Sequence, residues 1–193
     1  MARHKEFDSA EALHQAMEVF WSRGYEAASI QELVKHMGIN RQSLYDTFGD
    51  KHALYLQTLD CYREVEGRRM FELLGRAGPV KKTLRLLFEG VIERALCDPQ
   101  RRGCFMGNAV SELAGRCKET AARTGSNMTT TEEAFYRALL RGKKDGELKH
   151  VRDLRAVARF LCSSMHGLVL TAKAIQDRKT LEDVVKVTLS VLD

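Results

Sequence analysis

Between Ser29 and Phe48 the chain reads SIQELVKHMGINRQSLYDTF, two short helical segments joined through a single glycine. Ser29, with Glu32 three residues on, forms a capping-box signature that predicts a helix start. Ile30, Leu33, Val34 and Met37 recur at helical spacing and mark a buried face. Gly38 suits the left-handed conformation that ends a helix, and Ile39 plugs the turn. Asn40 predicts the cap of a second helix whose inward residues are Leu44 and Phe48. Arg41, Gln42, Ser43, Tyr45 and Thr47 are left facing outward. This is the layout of a helix-turn-helix, in which a short helix presents polar side chains to base edges in the DNA major groove.

The flanking sequence extends the helical reading. Asp8 and Glu11 form a second capping box, opening a helix to about residue 23 with Leu13, Ala16, Met17 and Phe20 inward. Trp21 is assigned to packing within this head, and Gly24 and Tyr25 close the helix. Asp50 predicts the cap of a long helix to about residue 74, a rod of some 36 Å at about 1.5 Å per residue. Such a rod links the head to a second, larger module. Residues 75–79 break it. Further helices are expected over residues 80–97, over 104–113, from a third capping box at Thr130 and Glu133 to about 144, over 152–174 and over 180–192. Residues 115–129, with the polar stretch Thr124-Gly125-Ser126-Asn127, carry no clear pattern. No segment alternates convincingly as a strand. The expected fold class is all-α, with about nine helices: a three-helix N-terminal domain followed by a larger helical domain.

Charge does not by itself argue for nucleic acid. The formal net charge is +5, but residues 1–50 carry a net −3 and the remainder +8. Any contact of the head with phosphates must rest on local placement, with Arg3, Lys5, Arg41 and Lys51 as candidates. The 5 cysteines are widely spaced with no CxxC pair, which matches neither a zinc site nor a disulfide scaffold. No phosphate loop, metal-binding His/Glu spacing or nucleophile–base set stands out, so no cofactor, metal or enzymatic activity is expected. The apolar runs are too short and interrupted to span a membrane. The start, MARHKEFD, lacks the apolar core of a signal peptide, which makes the cytoplasm the expected location.

The segment SIQELVKHMGINRQSLYDTFGDKHALY resembles the DNA-binding signature of the TetR/AcrR regulators: a Ser/Thr-initiated helix, an MG turn, a short helix ending in Tyr-x-x-Phe, then a Lys that opens a long helix. The stretch FDSAEALHQAMEVFWSRGYEAASI is similar to that family's first helix and its Gly-Tyr exit. The resemblance covers roughly residues 6–66. It implies a DNA-binding domain over 6–66, with its helix-turn-helix at 29–48, and an effector-binding and dimerisation domain over 67–193. It further implies a dimeric regulator, most often a repressor, that sits on a palindromic double-stranded operator and is released by a small hydrophobic effector or by cysteine modification. By position, Gln31, Arg41, Gln42 and Ser43 would face bases, Tyr45 and Lys51 would hold phosphates, and Thr47 would join either group. Arg41 suits guanine O6 and N7, and Gln42 suits adenine N6 and N7. Gln42 stands where the family commonly carries a small residue.

The same resemblance implies a homodimer through the last two helices, which pair with their twins as a four-helix bundle. It also implies an effector pocket in the larger domain. Tyr62, Met70, Phe88, Ile92, Phe105, Met106, Phe135, Tyr136 and His166 are the candidate lining, an aromatic and methionine-rich set suited to an apolar ligand. Arg101-Arg102-Gly103-Cys104 places a thiol beside two cations near an expected helix start, features that favour the reactive thiolate. Some similar regulators carry Gly-Cys at this point, and in a few that cysteine senses electrophiles or oxidants; the alternative is a packed structural cysteine. The rival readings are a helical adaptor whose head no longer contacts DNA, and a helical enzyme.

Overall fold

The computed structural model describes residues 7–193; the expected phosphate contacts of Arg3 and Lys5 fall outside them. Among the described residues the chain forms nine α-helices and no strand. The head is α1 (Ser9–Arg23), α2 (Ile30–Met37) and α3 (Arg41–Phe48). Asp8, Ser29 and Asn40 each accept backbone N–H groups at the starts of these helices, as the sequence predicts. The acidic halves of the two capping boxes act elsewhere. Glu32 pairs with Arg23 at 3.1 Å, and Glu11 accepts from Gln15. Gly38 ends α2 at φ 65°, ψ 26°, left-handed geometry that a Cβ disfavours.

α4 (Lys51–Gly75) is the rod, about 37 Å long by its 25 residues. Its first half packs Leu54, Tyr55, Leu56 and Leu59 into the head core with Phe20, Leu33, Leu44 and Phe48. Its far end delivers Leu74 to a second core built by α5 (Val80–Cys97), α7 (Lys118–Lys144), α8 (Leu154–Ala174) and α9 (Arg178–Leu189). A 3₁₀ turn, Ser190–Leu192, ends the chain's regular structure. Between α5 and α7 lie the five-residue α6 (Phe105–Ala109) and a π-helical turn, Val110–Ala114. Phe105, Met106, Ala109 and Leu113 from this segment complete the head core rather than the body core.

The segment that lacked a sequence pattern is the first half of α7. Cys117 caps it by accepting from Thr120 N, and the helix runs unbroken past Thr130. The expected capping box there is corrected: the Thr130 hydroxyl donates to Ser126 O inside the helix. Helix persists through weak formers because Thr120, Thr124 and Thr131 are buried against neighbouring helices, and tertiary packing overrides propensity. The Thr124 hydroxyl donates to Thr120 O at 2.9 Å, so its burial leaves no unmet donor.

Head and body are tied by specific bonds. The Glu112 carboxylate accepts the backbone N–H groups of Tyr25 and Glu26, both at 3.0 Å. The Trp21 indole donates to Gly103 O at 3.2 Å. Arg123 pairs with Asp60 of α4 at 3.1 Å.

Candidate nucleic-acid interface and inner cavity

α3 presents its polar face to solvent. Leu44 and Phe48 are buried beneath it, while Arg41, Gln42 and Tyr45 are exposed and Ser43 and Thr47 half-buried. Gln57 of α4 donates to Phe48 O at 2.9 Å, fixing the end of the helix. The outward side chains are held by their own neighbours. Arg41 donates to the Tyr45 hydroxyl at 3.2 and 3.3 Å, and its guanidinium lies 5.6 Å from that ring's centroid. Gln42 donates to Asp46 at 2.8 Å. Gln31 is exposed on α2. Lys51, at the first position of α4, sits 4.6 Å above the Tyr25 ring and donates to Glu26 O at 3.4 Å. Of the candidate contact residues, Gln31, Arg41, Gln42 and Tyr45 are exposed and Ser43, Thr47 and Lys51 half-buried, and the two basic groups each lie against an aromatic ring.

Where α4, α5, α7 and α8 diverge below the head they enclose a cavity of about 430 Å³. Four of the candidate pocket residues line it: Tyr62, Met70, Cys104 and His166. The others are placed elsewhere. Phe88, Ile92 and Phe135 are buried in the body core, with the Phe88 and Phe135 rings 6.4 Å apart. Phe105 and Met106 belong to the head core. Tyr136 lies beneath the Arg155 guanidinium, 3.6 Å from it. On α5 the cause is rotation: one residue turns a side chain by about 100°. Leu87 and Val91, buried in the same core, also line the cavity, whereas Phe88 and Ile92 do not. Met165 and Val169 of α8 add to the apolar wall, and Trp21 joins it although the sequence assigned it to packing alone. Glu66, Asn127 and Thr131 supply polar points. The weak signal for these was only their helical spacing, since nothing local marks a wall that four helices share.

The electrostatics of this wall follow from its neighbours. Burial and then the adjacent Cys104 sulfur push the Tyr62 hydroxyl well above its ordinary range. Burial pulls the His166 imidazole down and favours its neutral form, against a hydrogen bond that the ring donates to the Cys162 backbone carbonyl. Burial works to raise the Asp98 carboxyl, but backbone N–H groups of Arg102 and Gln100 and the Arg102 guanidinium outweigh it and hold it low. Of the two cations expected to act on Cys104, Arg102 is otherwise engaged and Arg101 faces solvent. Arg102 pairs with Glu18 and Asp98 and lies 4.1 Å from the centre of the Trp21 ring, and Arg101 is exposed.

Metal-ligating side chains meet at one place among the described residues, where donor atoms of His52, Cys117 and Glu119 lie within 4.8 Å of one another. A search for local cysteine spacing misses this, because His52 and Cys117 are 65 positions apart.

A three-helix head displaying one polar helix, carried by a rod into a helical body with an inner cavity, defines a helix-turn-helix protein of two parts. The family profile described as "Bacterial regulatory proteins, tetR family" matches residues 12–58, and "Tetracyclin repressor-like, C-terminal domain" matches residues 79–188. The chain belongs to the TetR family of transcriptional regulators. It is 43% identical, over the whole of both chains, to the uncharacterized HTH-type transcriptional regulator YezE of Bacillus subtilis (strain 168). It is 27% identical to the HTH-type transcriptional repressor ComR of Escherichia coli (strain K12), covering 97% of this chain and 90% of ComR. Among solved structures, a cysteine mutant of the TetR family transcriptional regulator CifR, complexed with 26-base-pair operator DNA, is 32% identical, with a TM-score of 0.84 over 97% of this chain and 98% of that one. No helix among the described residues is long and apolar enough to cross a membrane.

Proposed function

We propose that this regulator is a homodimeric repressor that binds a palindromic operator through α3 and leaves it when the inner cavity is occupied. The observation that carries the reading is the solvent-facing strip from Arg41 to Tyr45 on a helix whose opposite side is fully buried. Arg41, Gln42, Ser43 and Gln31 face base edges, Tyr45 and Lys51 hold phosphates, and Thr47 lies where it reaches either. The operator complex of CifR and the repressor ComR, both similar to this chain over nearly their whole length, support the assignment.

The last two helices support the dimer. Beyond the residues that α8 and α9 give to the core, each keeps an apolar stripe in solvent: Phe160 and Leu170 on α8, with Ser163 and Gly167 between them, and Val184 and Val187 on α9, continued by Val191 in the terminal 3₁₀ turn. Two copies related by a two-fold axis cover these stripes and bring two reading helices to one face of the duplex. The effector is a small molecule with an apolar body, held by Trp21, Met70, Leu87 and Val169, and one polar group for His166 or Asn127. It releases DNA by binding the operator-incompetent arrangement more tightly, since equal affinity for both shifts nothing. Modification of Cys104, on the same wall, is the second route to release. The domain assignment is 6–66 for reading DNA and 67–193 for effector binding and dimerisation, with α6 of the latter closing the head's core.

Arg41→Ala and Tyr45→Ala test the reading in a gel-shift assay with a palindrome selected from random DNA. Both are expected to abolish the shift while circular dichroism and oligomeric state stay unchanged. Undiminished affinity in both variants rejects the groove assignment.

A further inference from the structure

Three metal-ligating side chains converge where the head joins the body, none of them on α3 or in the lining of the cavity. His52 stands on the first turn of α4, directly after Lys51; Cys117 caps α7; Glu119 lies on that helix's first turn. Cys117 Sγ is 3.6 Å from His52 Nε2 and 3.5 Å from Glu119 Oε2. The two sulfur edges match those of a tetrahedral zinc ion, and the His52 and Glu119 donors lie within 4.8 Å of each other. With Zn–S about 2.3 Å and Zn–N or Zn–O about 2.0–2.2 Å, tetrahedral angles put sulfur about 3.6 Å from either partner.

The surroundings orient the donors. The imidazole stands edge-on to the Tyr25 ring, with centroids 5.9 Å apart and planes at 85°. Buried Thr120 aims its backbone N–H and its hydroxyl at the sulfur, at 3.4 and 3.2 Å. Outer donors of this kind fix a ligand's direction and tune its basicity.

We propose that His52, Cys117 and Glu119 form a zinc-binding site that clasps the start of α4 to the start of α7. On binding, the Cys117 thiol releases its proton to solvent and the thiolate ligates; neutral His52 ligates through Nε2, and the carboxylate through one oxygen. Two anionic ligands neutralise the dication, which offsets its placement at two helix N-termini, where cations are disfavoured. The fourth position, beside exposed Glu119, is left to water. An ion held by three side chains at the surface exchanges with its surroundings, unlike the closed four-ligand structural sites. Because Lys51 adjoins His52, the clasp sets the angle of the head on the body. Its effect on DNA affinity rests on the operator reading above, but metal binding does not.

The test uses the full chain, stripped of metal under a non-thiol reductant and titrated with Co²⁺ as a spectroscopic probe and then with Zn²⁺. The expected result is one Co²⁺ per chain, with a thiolate charge-transfer band and the intense visible bands of a tetrahedral ion, both lost when Zn²⁺ displaces it. Cys117→Ser keeps an oxygen to cap α7, and His52→Gln keeps side-chain size. Each should lose the charge-transfer band and weaken metal binding by at least about tenfold, while Cys61→Ser retains both. Zinc should also raise the Tm of the wild-type chain and leave that of Cys117→Ser unchanged, as expected for a ligand that binds only the folded state. A missing thiolate band in the wild type, a wild-type spectrum in Cys117→Ser or His52→Gln, or an equal rise in Tm in Cys117→Ser overturns the site. Because these readouts involve no DNA, failure here leaves the operator assignment standing, and a failed gel shift leaves the site standing.

Discussion

At the scale of single residues, the reading surface separates two kinds of polar group. Lys51 is a flexible point charge at a helix start, where its positive end opposes the helix dipole. The Tyr25 ring beneath it compensates through a cation–π contact at 4.6 Å. In the proposed operator complex a residue so placed holds a phosphate and reads no sequence. Lys51→Gln should therefore weaken binding to every DNA sequence alike and flatten the dependence of log K on log salt by about 1.8 for the two copies in a dimer, at about 0.9 per neutralised phosphate. Gln42→Ala should leave that slope unchanged and alter which base is preferred at one position of each half-site. Binding titrations at several salt concentrations, with operator variants, distinguish the two. A Gln42→Ala protein with wild-type preference at every position would remove Gln42 from the base-reading set. The helices that carry this candidate surface were legible because their signals are local: a cap, three residues to its N–H partner, a glycine at the turn, and apolar positions four apart.

At the scale of elements, legibility fell where packing rather than local chemistry decides. α7 shows this along its length. Its first half showed no clear pattern because Thr, Gly, Ser and Asn are poor helix formers, yet it is helical with Thr120, Thr124 and Thr131 buried. The cavity wall was equally opaque, since whether Phe88 or Leu87 faces it depends on how four helices are rotated about one another. Cys117 and His52 illustrate the same limit, meeting only after folding. Two glycines of α7 make the contrast measurable. Gly142 is buried, and a Cβ there would overlap Val80 at the start of α5. That start is itself held from outside: Pro79 offers no side-chain cap, and the Glu147 carboxylate accepts Val80 N and Lys81 N at 2.5 and 2.9 Å. Gly142→Ala should push α5 off this cap and destabilise the chain by about 1–3 kcal/mol, the range for overpacking. Gly125 is exposed, with nothing within 4 Å of its Cβ position, so Gly125→Ala should stabilise by about 0.5–1 kcal/mol through helix propensity alone. Urea unfolding of both variants reads the two effects, and a neutral Gly142→Ala would mean α5 and α7 yield at this contact.

At the scale of the whole molecule, the question is what two heads gain from one body. A single reading helix contacts too few base edges for specificity, and a two-fold pair doubles them only if the heads are held at fixed separation. The core helices α8 and α9 bear that load in the proposed dimer. Their inner faces, with Leu161, Leu168, Leu181 and Val185, are buried in the monomer, while Leu170 and Val187 remain 67% and 68% exposed. The sequence showed both faces as one apolar pattern; burial separates the residues the monomer's core takes from those it leaves exposed. Because a two-fold interface presents each residue twice, one charge placed on the stripe meets its own copy in a desolvated setting. Leu170→Glu should therefore convert the protein from dimer to monomer in sedimentation equilibrium without loss of helix content, since this side chain gives almost nothing to the monomer's core. Operator affinity should fall steeply with it, although every residue of α3 is intact. A Leu170→Glu protein that stays dimeric moves the interface away from this stripe. One that becomes monomeric yet binds the full operator as tightly as before shows that the heads read DNA independently.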